Sequence, residues 1–250
     1  MKTKRFPHLR NAPIHEALID IRLSLPPNFD VKKFLTIKSK LKSKYPMIDE
    51  RWELTGEIEF APTGSSQSMQ RKSQGYWFKN QEGTKIVQFR NNGFTFNKLR
   101  PYSSWSEILK EAKRTWNLYS AIIGRQSIVR LAVRYINHIH LPLPLPNMSQ
   151  YLVLCPTLPG QGQGSIKGFM NRIVIEEPSI GGETIVTQAS QQGASKDSMR
   201  ILFDIDTSKR IEDNEQLKES DVWKILDELR KIKNRIFFAN VTRKTIEMYR

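Results

Sequence analysis

The stretch VRLAVRYINHIH, from Val129 to His140, alternates between two kinds of side chain and decides the fold class around it. Its odd positions are mainly apolar and include Leu131, Val133 and Tyr135. Its even positions carry the basic or titratable side chains, which are Arg130, Arg134, His138 and His140. A period of two predicts a β-strand with one face in a core. The other face would be a basic ridge roughly 35 Å long at the usual rise of a strand.

Two amphipathic helices are expected, one before this strand and one near the end of the chain. The first covers residues 103–124, where Ser104 and Glu107 have the spacing of a capping box and Gly124 predicts the end of the helix. The second covers residues 219–242, with Ser220 as the expected N-cap. Both carry an apolar stripe at helical spacing, which predicts that each packs on a sheet.

Further strands are predicted from alternating patterns bounded by turn residues. Glu82-Gly83 and Asn92-Gly93 are the turn signals within residues 76–99, and Asn-Gly is a strong hairpin signal. The other predicted strands cover residues 15–26, 52–61, 169–178, 182–190 and 199–210. A helix is expected from Asp30 to about Tyr45, because Pro46 bars its continuation. The polar residues 62–75 are expected to form a loop.

The order of these elements repeats along the chain. Each half reads strand, helix, linked strands and helix, and Trp105 and Trp223 open similar basic helices. We therefore expect an α+β fold built by tandem duplication, with antiparallel sheets packed on amphipathic helices. The halves would cover residues 1–124 and 125–250, either as two domains or as one continuous domain.

The charge balance points to a polyanionic partner. The chain has 40 Lys and Arg against 25 Asp and Glu, a net charge of +15. Such an excess favours nucleic acid, because Lys and Arg displace counterions from phosphate backbones. The candidate contacts are the ridge residues Arg130, Arg134, His138 and His140, together with Lys32, Lys38, Lys42, Lys110, Lys113 and Arg114 on the helices.

The same arginines also admit two other interpretations. The carboxylates of Glu16, Asp20, Asp204 and Asp206 could pair with Arg130 or Arg134 in an internal ion-pair network. Alternatively, the basic surface could meet an acidic protein, as in an antitoxin-like or immunity-like partner subunit. The sequence does not indicate an oligomeric state.

Enzymatic motifs are weak in this sequence. Asp204 and Asp206 share a strand face and could hold a metal ion in a metal-dependent nuclease, but one strand offers too few convergent ligands. His138 and His140 lack a visible third ligand, and the single cysteine, Cys155, excludes a cysteine-cluster zinc site. The glycine-rich residues 160–168 lack the spacing of a phosphate-binding loop. We expect that the protein binds no cofactor and no metal and that, on balance, it is not an enzyme.

The chain also lacks the features of a targeted or membrane-spanning protein. The basic start MKTKRFPHLR has no apolar segment behind it, and no stretch reaches the roughly 18 apolar residues that a membrane span needs. The expected location is therefore the cytoplasm, with no membrane partner.

Three motifs in this order resemble a known family. NAPIHEA at residues 11–17, RYIN at 134–137 and DID at 204–206 resemble a sporadically distributed family of prokaryotic proteins that share these motifs. The resemblance spans nearly the whole chain, and its positions here are Pro13, Glu16, Arg134, Tyr135, Asn137, Asp204 and Asp206. The sequence departs from the family where FFANVT has Ala239 after the second Phe instead of an acidic residue.

This resemblance implies a genetic context without a defined activity. The patchy distribution of the family implies mobile or defence-related genes. Together with the charge, it leads us to expect a non-enzymatic protein whose basic surface binds nucleic acid, as a subunit of a defence or mobile-element complex.

Overall fold

The predicted strand at residues 129–140 lies near the middle of one large antiparallel sheet. The structure is a computed structural model that describes residues 6–26, 28–61, 64–143, 147–156, 168–191, 197–212 and 217–250, with the backbone alone for 55–61, 64–68 and 70. The described strands are β1 (Ile14–Ser24), β2 (Met47–Ala61), β3 (Gly64–Lys79), β4 (Lys85–Arg90), β5 (Gly93–Leu99), β6 (Ser127–Pro142), β7 (Met170–Glu177), β8 (Gly182–Gln191) and β9 (Ser198–Arg210).

The nine described strands form one sheet in the order β2-β3-β4-β5-β1-β6-β9-β8-β7. The α+β class is confirmed, but the expectation of separate sheets is wrong. The reason is the antiparallel pairing of β1 with β6, which joins the strands of both halves of the chain across ten residue pairs. All neighbouring strands in the sheet are antiparallel.

Long helices follow the strands of each half. They are α2 (Trp105–Ile123) and α3 (Glu219–Asn240), while α1 (Lys38–Leu41), α4 (Arg243–Met248) and the 3₁₀ helices Val31–Ile37 and Met148–Gln150 are short. Ser104 caps α2 as predicted, because its hydroxyl accepts from the Glu107 amide, and Gly124 ends the helix at a φ of 69°. Among the described helices, none combines the length and apolar character that crossing a membrane requires.

The helices pack on one face of the sheet and bury its apolar side chains. Ile19, Ile21, Leu131 and Val133 are fully buried in one cluster with the apolar stripes of α2 and α3. A second cluster packs Ile201, Phe203 and Ile205 of β9 against the C-terminal half of α3. The strand periodicity predicted these faces correctly, since successive side chains of a strand point to opposite sides of the sheet.

Two local predictions are wrong, and a third is confirmed only in part. Residues 64–75, expected as loop, belong to β3 and pair with β2 from Ala61↔Gly64 onward, so ladder hydrogen bonds outweigh the turn-forming composition. The helix expected from Asp30 is confirmed at its N-cap, because the Asp30 side chain accepts from the Lys32 amide. It differs in type, since a 3₁₀ helix precedes the four residues of α1. Ser220 lies inside α3, whose N-cap is Lys218 without a side-chain cap. Of the glycine-rich residues 160–168, only Gly168 lies among the described residues.

The strand order bears on the expected duplication without testing it. In the first half of the chain, the first strand β1 pairs with the last strand β5, and in the second half β6 pairs with β9 in the same way. The tandem duplication and the boundary at residue 124 stay predictions.

One lysine, Lys233, is buried on the helical side of the sheet, where its positive charge is unfavourable. Lys233 of α3 is 6% exposed, and its Nζ lies 3.5 Å from the centre of the Tyr135 ring. Burial, with a smaller effect from Arg230, lowers the pKa of Lys233 from 10.5 to about 7. The folded protein therefore disfavours the charged amine, whereas the unfolded chain does not.

Replacing this lysine should stabilise the protein in a pH-dependent way. The folded pKa is lowered, so the unfolded state binds more protons between pH 7 and 10.5, and wild-type stability rises across this window. We expect Lys233→Met to raise the free energy of unfolding by roughly 2 to 4 kcal/mol at pH 7 and by much less near pH 10.5. Urea unfolding of both proteins at the two pH values measures this, and a pH-independent difference would contradict it.

A second prediction concerns Gly93, which opens β5 at a φ of 148°. A Cβ there would lie 2.2 Å from the Ile21 carbonyl oxygen, whereas a Cβ at Gly83, at a φ of 65°, would meet nothing within 4 Å. We expect Gly93→Ala to lower the free energy of unfolding by about 3 kcal/mol or more, and Gly83→Ala by about 1 kcal/mol. Equal losses in urea unfolding would show that β1 does not approach β5 this closely.

Candidate nucleic-acid interface

The second face of the sheet carries a row of arginines that runs across the strands. In the pairing register, Arg51 of β2 lies opposite Gly75, Gly75 opposite Arg90, and Arg90 opposite Gly93. The register continues from Gly93 to Arg22 of β1, then to Arg130 of β6 and Arg210 of β9. Directly opposed residues share a face, so five arginines form one row, hereafter the arginine row: Arg51, Arg90, Arg22, Arg130 and Arg210. Six strand spacings give this row a length of roughly 29 Å.

Glycines occupy the row where β3 and β5 cross it. A Cβ at Gly75 would lie 2.0 Å from the Phe89 carbonyl oxygen, and the φ of Gly75 is 134°. Gly75 and Gly93 thus allow neighbouring strands to approach closely, and they leave the row without side chains between the arginines on either side.

Asp20 is the carboxylate around which the row is organised. Its Oδ1 accepts from Arg90 Nη2 at 2.6 Å and from the Thr95 hydroxyl at 2.6 Å, while its Oδ2 accepts from Arg22 Nε at 2.8 Å. Arg130 Nη1 lies 3.6 Å from Asp20 Oδ2. Burial raises the pKa of Asp20, but Arg90, Arg22 and Thr95 outweigh it, so the pKa lies below the ordinary 3.8.

The other acidic residues of the predicted network also contact arginines, with one exception. Arg134 binds Asp204 with two nitrogens, Nε donating to Oδ1 at 2.9 Å, and Arg130 Nη2 contacts both oxygens of Asp206 at 3.2 Å. Burial raises the pKa of Asp206, although Arg130 and Arg134 oppose this shift. Glu16 accepts instead from the side-chain amide of Asn97.

The predicted ridge therefore carries little free charge. Arg130 and Arg134 are both ion-paired. The His138 ring stacks on His15 at 4.2 Å, and burial, together with His15 and Arg200, lowers the pKa of His138 to about 4. Burial and Arg200 also lower the pKa of His140. Both histidines are consequently neutral at pH 7.

The lysines and arginine predicted on helices lie on the opposite side of the sheet. Lys32, Lys38 and Lys42 are exposed on the 3₁₀ helix and around α1, whose Phe34 stacks against Tyr119 of α2 on the helical side. Lys110 and Lys113 are exposed on α2, and Arg114 is half-buried against Glu111 at 2.6 Å. The structure thus does not bring these six residues together with the arginine row.

A small cavity lies at the β2 end of the arginine row. It has a volume of about 190 Å³ and is lined by Arg51, Trp52, Glu53, Gln74, Arg90, Asn91 and Asn92. Arg90 is 5% exposed, and its Nε has no hydrogen-bond partner among the described residues. A buried donor without a partner is unusual in a folded protein. Arg90, which lines the cavity, therefore carries a positive charge that its hydrogen bonds only partly satisfy.

The described residues offer no cluster of three or more potential metal ligands. Asp204 and Asp206, the pair that a metal-dependent nuclease would use, direct their oxygens to the guanidinium groups of Arg134 and Arg130. This geometry favours their role as counter-charges.

No protein-family model matches this chain, and no curated protein is significantly similar to it. The resemblance to the sporadically distributed prokaryotic family therefore stays a prediction, and the function has to be argued from the geometry.

The stability of this interface should depend on Asp20. We expect Asp20→Asn to lower the free energy of unfolding by about 3 to 5 kcal/mol, because it leaves the Arg90 guanidinium buried without a counter-charge. The folded pKa of Asp20 is lowered, so its contribution is present above pH 3.8 and is lost as the pH falls below that value. Urea unfolding should show the difference between wild type and variant shrinking below about pH 4.

The matched control is Asp206→Asn, on a side chain that is 24% exposed and whose pKa is raised. Its loss should stay below about 1.5 kcal/mol, because a partly exposed ion pair contributes little. Equal losses for the two variants would show that Asp20 has no special role.

Proposed function

We propose that the face of the sheet opposite the helices binds nucleic acid through the phosphate backbone, with the arginine row as its main contact. The observation that carries this proposal is the imbalance of charge within the row. Five guanidinium groups lie there against three neighbouring carboxylates in the described part of the chain, those of Asp20, Asp206 and Glu53. The positive charges of the row persist at physiological pH, since arginine stays charged in proteins.

The ends of the row are its most available cations. Arg51 and Arg210 are exposed, and neither forms an ion pair with any residue in the described ranges. The Arg22 side chain is 37% exposed although it pairs with Asp20. Arg90 and Arg130 are less available, because both form ion pairs with carboxylates. The contacts to phosphate would therefore come chiefly from Arg51, Arg22 and Arg210.

The length of the row supports a polymeric ligand over a small anion. About 29 Å is close to one turn of duplex nucleic acid, and it spans several phosphates of a single strand. Contacts of this kind carry no sequence information, so binding would be largely independent of sequence. No catalytic group is required, and the protein would act as the nucleic-acid-binding subunit of a defence or mobile-element complex.

Charge-matched variants test this proposal. We expect Arg51→Gln combined with Arg210→Gln to weaken binding of a 20-nucleotide single strand or duplex by about ten-fold or more at 100 mM salt. The slope of log affinity against log salt should fall by about 2, because two phosphate contacts are lost. Fluorescence anisotropy over a salt series measures both quantities.

The control is Lys38→Gln combined with Lys42→Gln, which removes the same charge from the helical side. Its affinity should stay within about two-fold of wild type, since charges beyond a Debye length are largely screened. Equal effects of the two double variants would mean that net charge, and not the arginine row, drives binding. Absence of binding to both oligonucleotides would refute the proposal.

The second candidate function is that of a protein-binding subunit. The edge strand β7 favours it. β7 ends the order of the described strands, and its Met170 and Val174 side chains are 71% and 52% exposed. An apolar edge strand is able to accept a strand from another protein. The salt series separates the two candidates, because pairing at an apolar edge should be nearly independent of salt.

We also propose that the sheet face with the arginine row arose by tandem duplication of one strand-helix unit. The pairing of first and last strands in both halves supports it, since joining two such units through β1 and β6 yields the observed strand order.

A further inference from the structure

We propose that the cavity at the β2 end of the arginine row binds the terminal phosphate of a nucleic-acid strand, with Arg90 and Arg51 as its cationic groups. This inference rests on the proposed function for the identity of the ligand. It rests on separate observations for the site itself.

The first observation is the way in which Arg90 is held. Its Nη2 donates to Asp20, and its carbonyl oxygen accepts from the Tyr119 hydroxyl at 2.9 Å. Asp20 therefore holds the guanidinium and Tyr119 holds the backbone of the same residue, while the Nε has no partner among the described residues. A side chain that is already ordered loses little further conformational entropy when it binds an anion, which is the condition for a preorganised site.

The second observation is the β-bulge that forms the wall of the cavity. The β2–β3 register shifts between Arg51 and Trp52, which leaves Gln74 as the extra residue of β3. The Asn91 amide donates to the Gln74 carbonyl at 3.0 Å, so the bulge is joined to the β4–β5 turn. Bulges re-aim side chains, and here one brings the polar side chain of Gln74 to the cavity.

The lining favours a phosphate over a carboxylate or a neutral ligand. Two guanidinium groups, Arg51 and Arg90, face one carboxylate, Glu53, which already accepts from the Gln74 amide. Asn91 and Asn92 add amide groups that donate or accept. A terminal phosphate carries a charge of about −1.5 to −2 at pH 7, whereas a backbone phosphate carries −1, so a paired-arginine site prefers the terminal group.

The size of the cavity limits the ligand further. About 190 Å³ is below the range of roughly 300 to 1,000 Å³ that is typical for whole small-molecule ligands. It is sufficient for a phosphate and part of the attached nucleotide. Trp52 also lines the cavity and is 39% exposed. Arg71 lies over one face of its ring at 3.9 Å, so the adjoining base would stack on the other face.

The test compares one oligonucleotide with three kinds of end, using the full chain. Strands of one sequence carry a 5′-phosphate, a 3′-phosphate or hydroxyls at both ends, and their affinities are measured by anisotropy. We expect one phosphorylated end to bind at least about ten-fold more tightly than the hydroxyl-ended strand. Equal affinity for all three strands would overturn the assignment of the cavity while leaving the proposed function intact.

Two variants locate the effect at the cavity. Asn92→Asp places a negative charge in the lining, and Asp-Gly remains a good hairpin turn, so this variant should fold and should lose the preference for a phosphorylated end. Its affinity for the hydroxyl-ended strand should fall by less than its affinity for the phosphorylated strand, because the new charge also lies near Arg51. The control, Gln81→Glu, makes the same change of charge at the exposed β3–β4 turn and should keep the preference. If Asn92→Asp unfolds, Trp52→Ala replaces it, with a partial loss of preference expected.

A nucleoside monophosphate separates failure of the site from failure of the proposed function. Calorimetric binding that Asn92→Asp weakens would support the cavity even if no oligonucleotide binds, and that result would contradict the proposed function alone. If the mononucleotide does not bind and no phosphorylated end binds more tightly than the hydroxyl-ended strand, the cavity does not bind phosphate.

Discussion

The buried ion pair between Asp20 and Arg90 is the constraint on which the charged face of this protein depends. Arg22, Arg130 and Arg210 lie at the spacing of adjacent strands, where like charges repel one another and destabilise a sheet. Asp20 lies under the centre of the row and contacts Arg22, Arg90 and Arg130. One carboxylate therefore makes it possible for three guanidinium groups to share a small area, and the positive excess remains at the exposed ends.

The pairing of β1 with β6 gives this arrangement its length. Arg51, Arg90 and Arg22 come from strands of the first half of the chain, and Arg130 and Arg210 from strands of the second. Separate sheets would have left two short groups of cations, each with its own edge strands. The continuous sheet instead places all of them on one face, while its other face is buried by α2 and α3.

Much of the fold could be predicted from the sequence, whereas the arrangement of the site could not. The period of two in residues 129–140 and the capping residues of α2 are local signals, and both predicted their elements correctly. The arginine row has no local signal, because Arg22, Arg51, Arg90 and Arg210 are scattered along the chain and meet only through the register of seven strands. The bulge at Gln74 likewise lies in a segment whose composition predicts a loop. The pattern of a single strand reveals only the ridge along β6. The side chains of that ridge are largely ion-paired or neutral.

Those paired arginines on β6 show why a count of basic residues is a poor guide to a binding surface. Arg130 and Arg134 are the most conspicuous cations in the sequence pattern, yet Asp206 and Asp204 engage them. A guanidinium that already binds a carboxylate has less to gain from a phosphate, because the new contact has to replace an existing one. Arg51 and Arg210 have no such competitor among the described residues, and Arg90 retains an unused Nε. The paired residues hold the sheet face in shape, and the residues at its margins are those that a ligand would reach first.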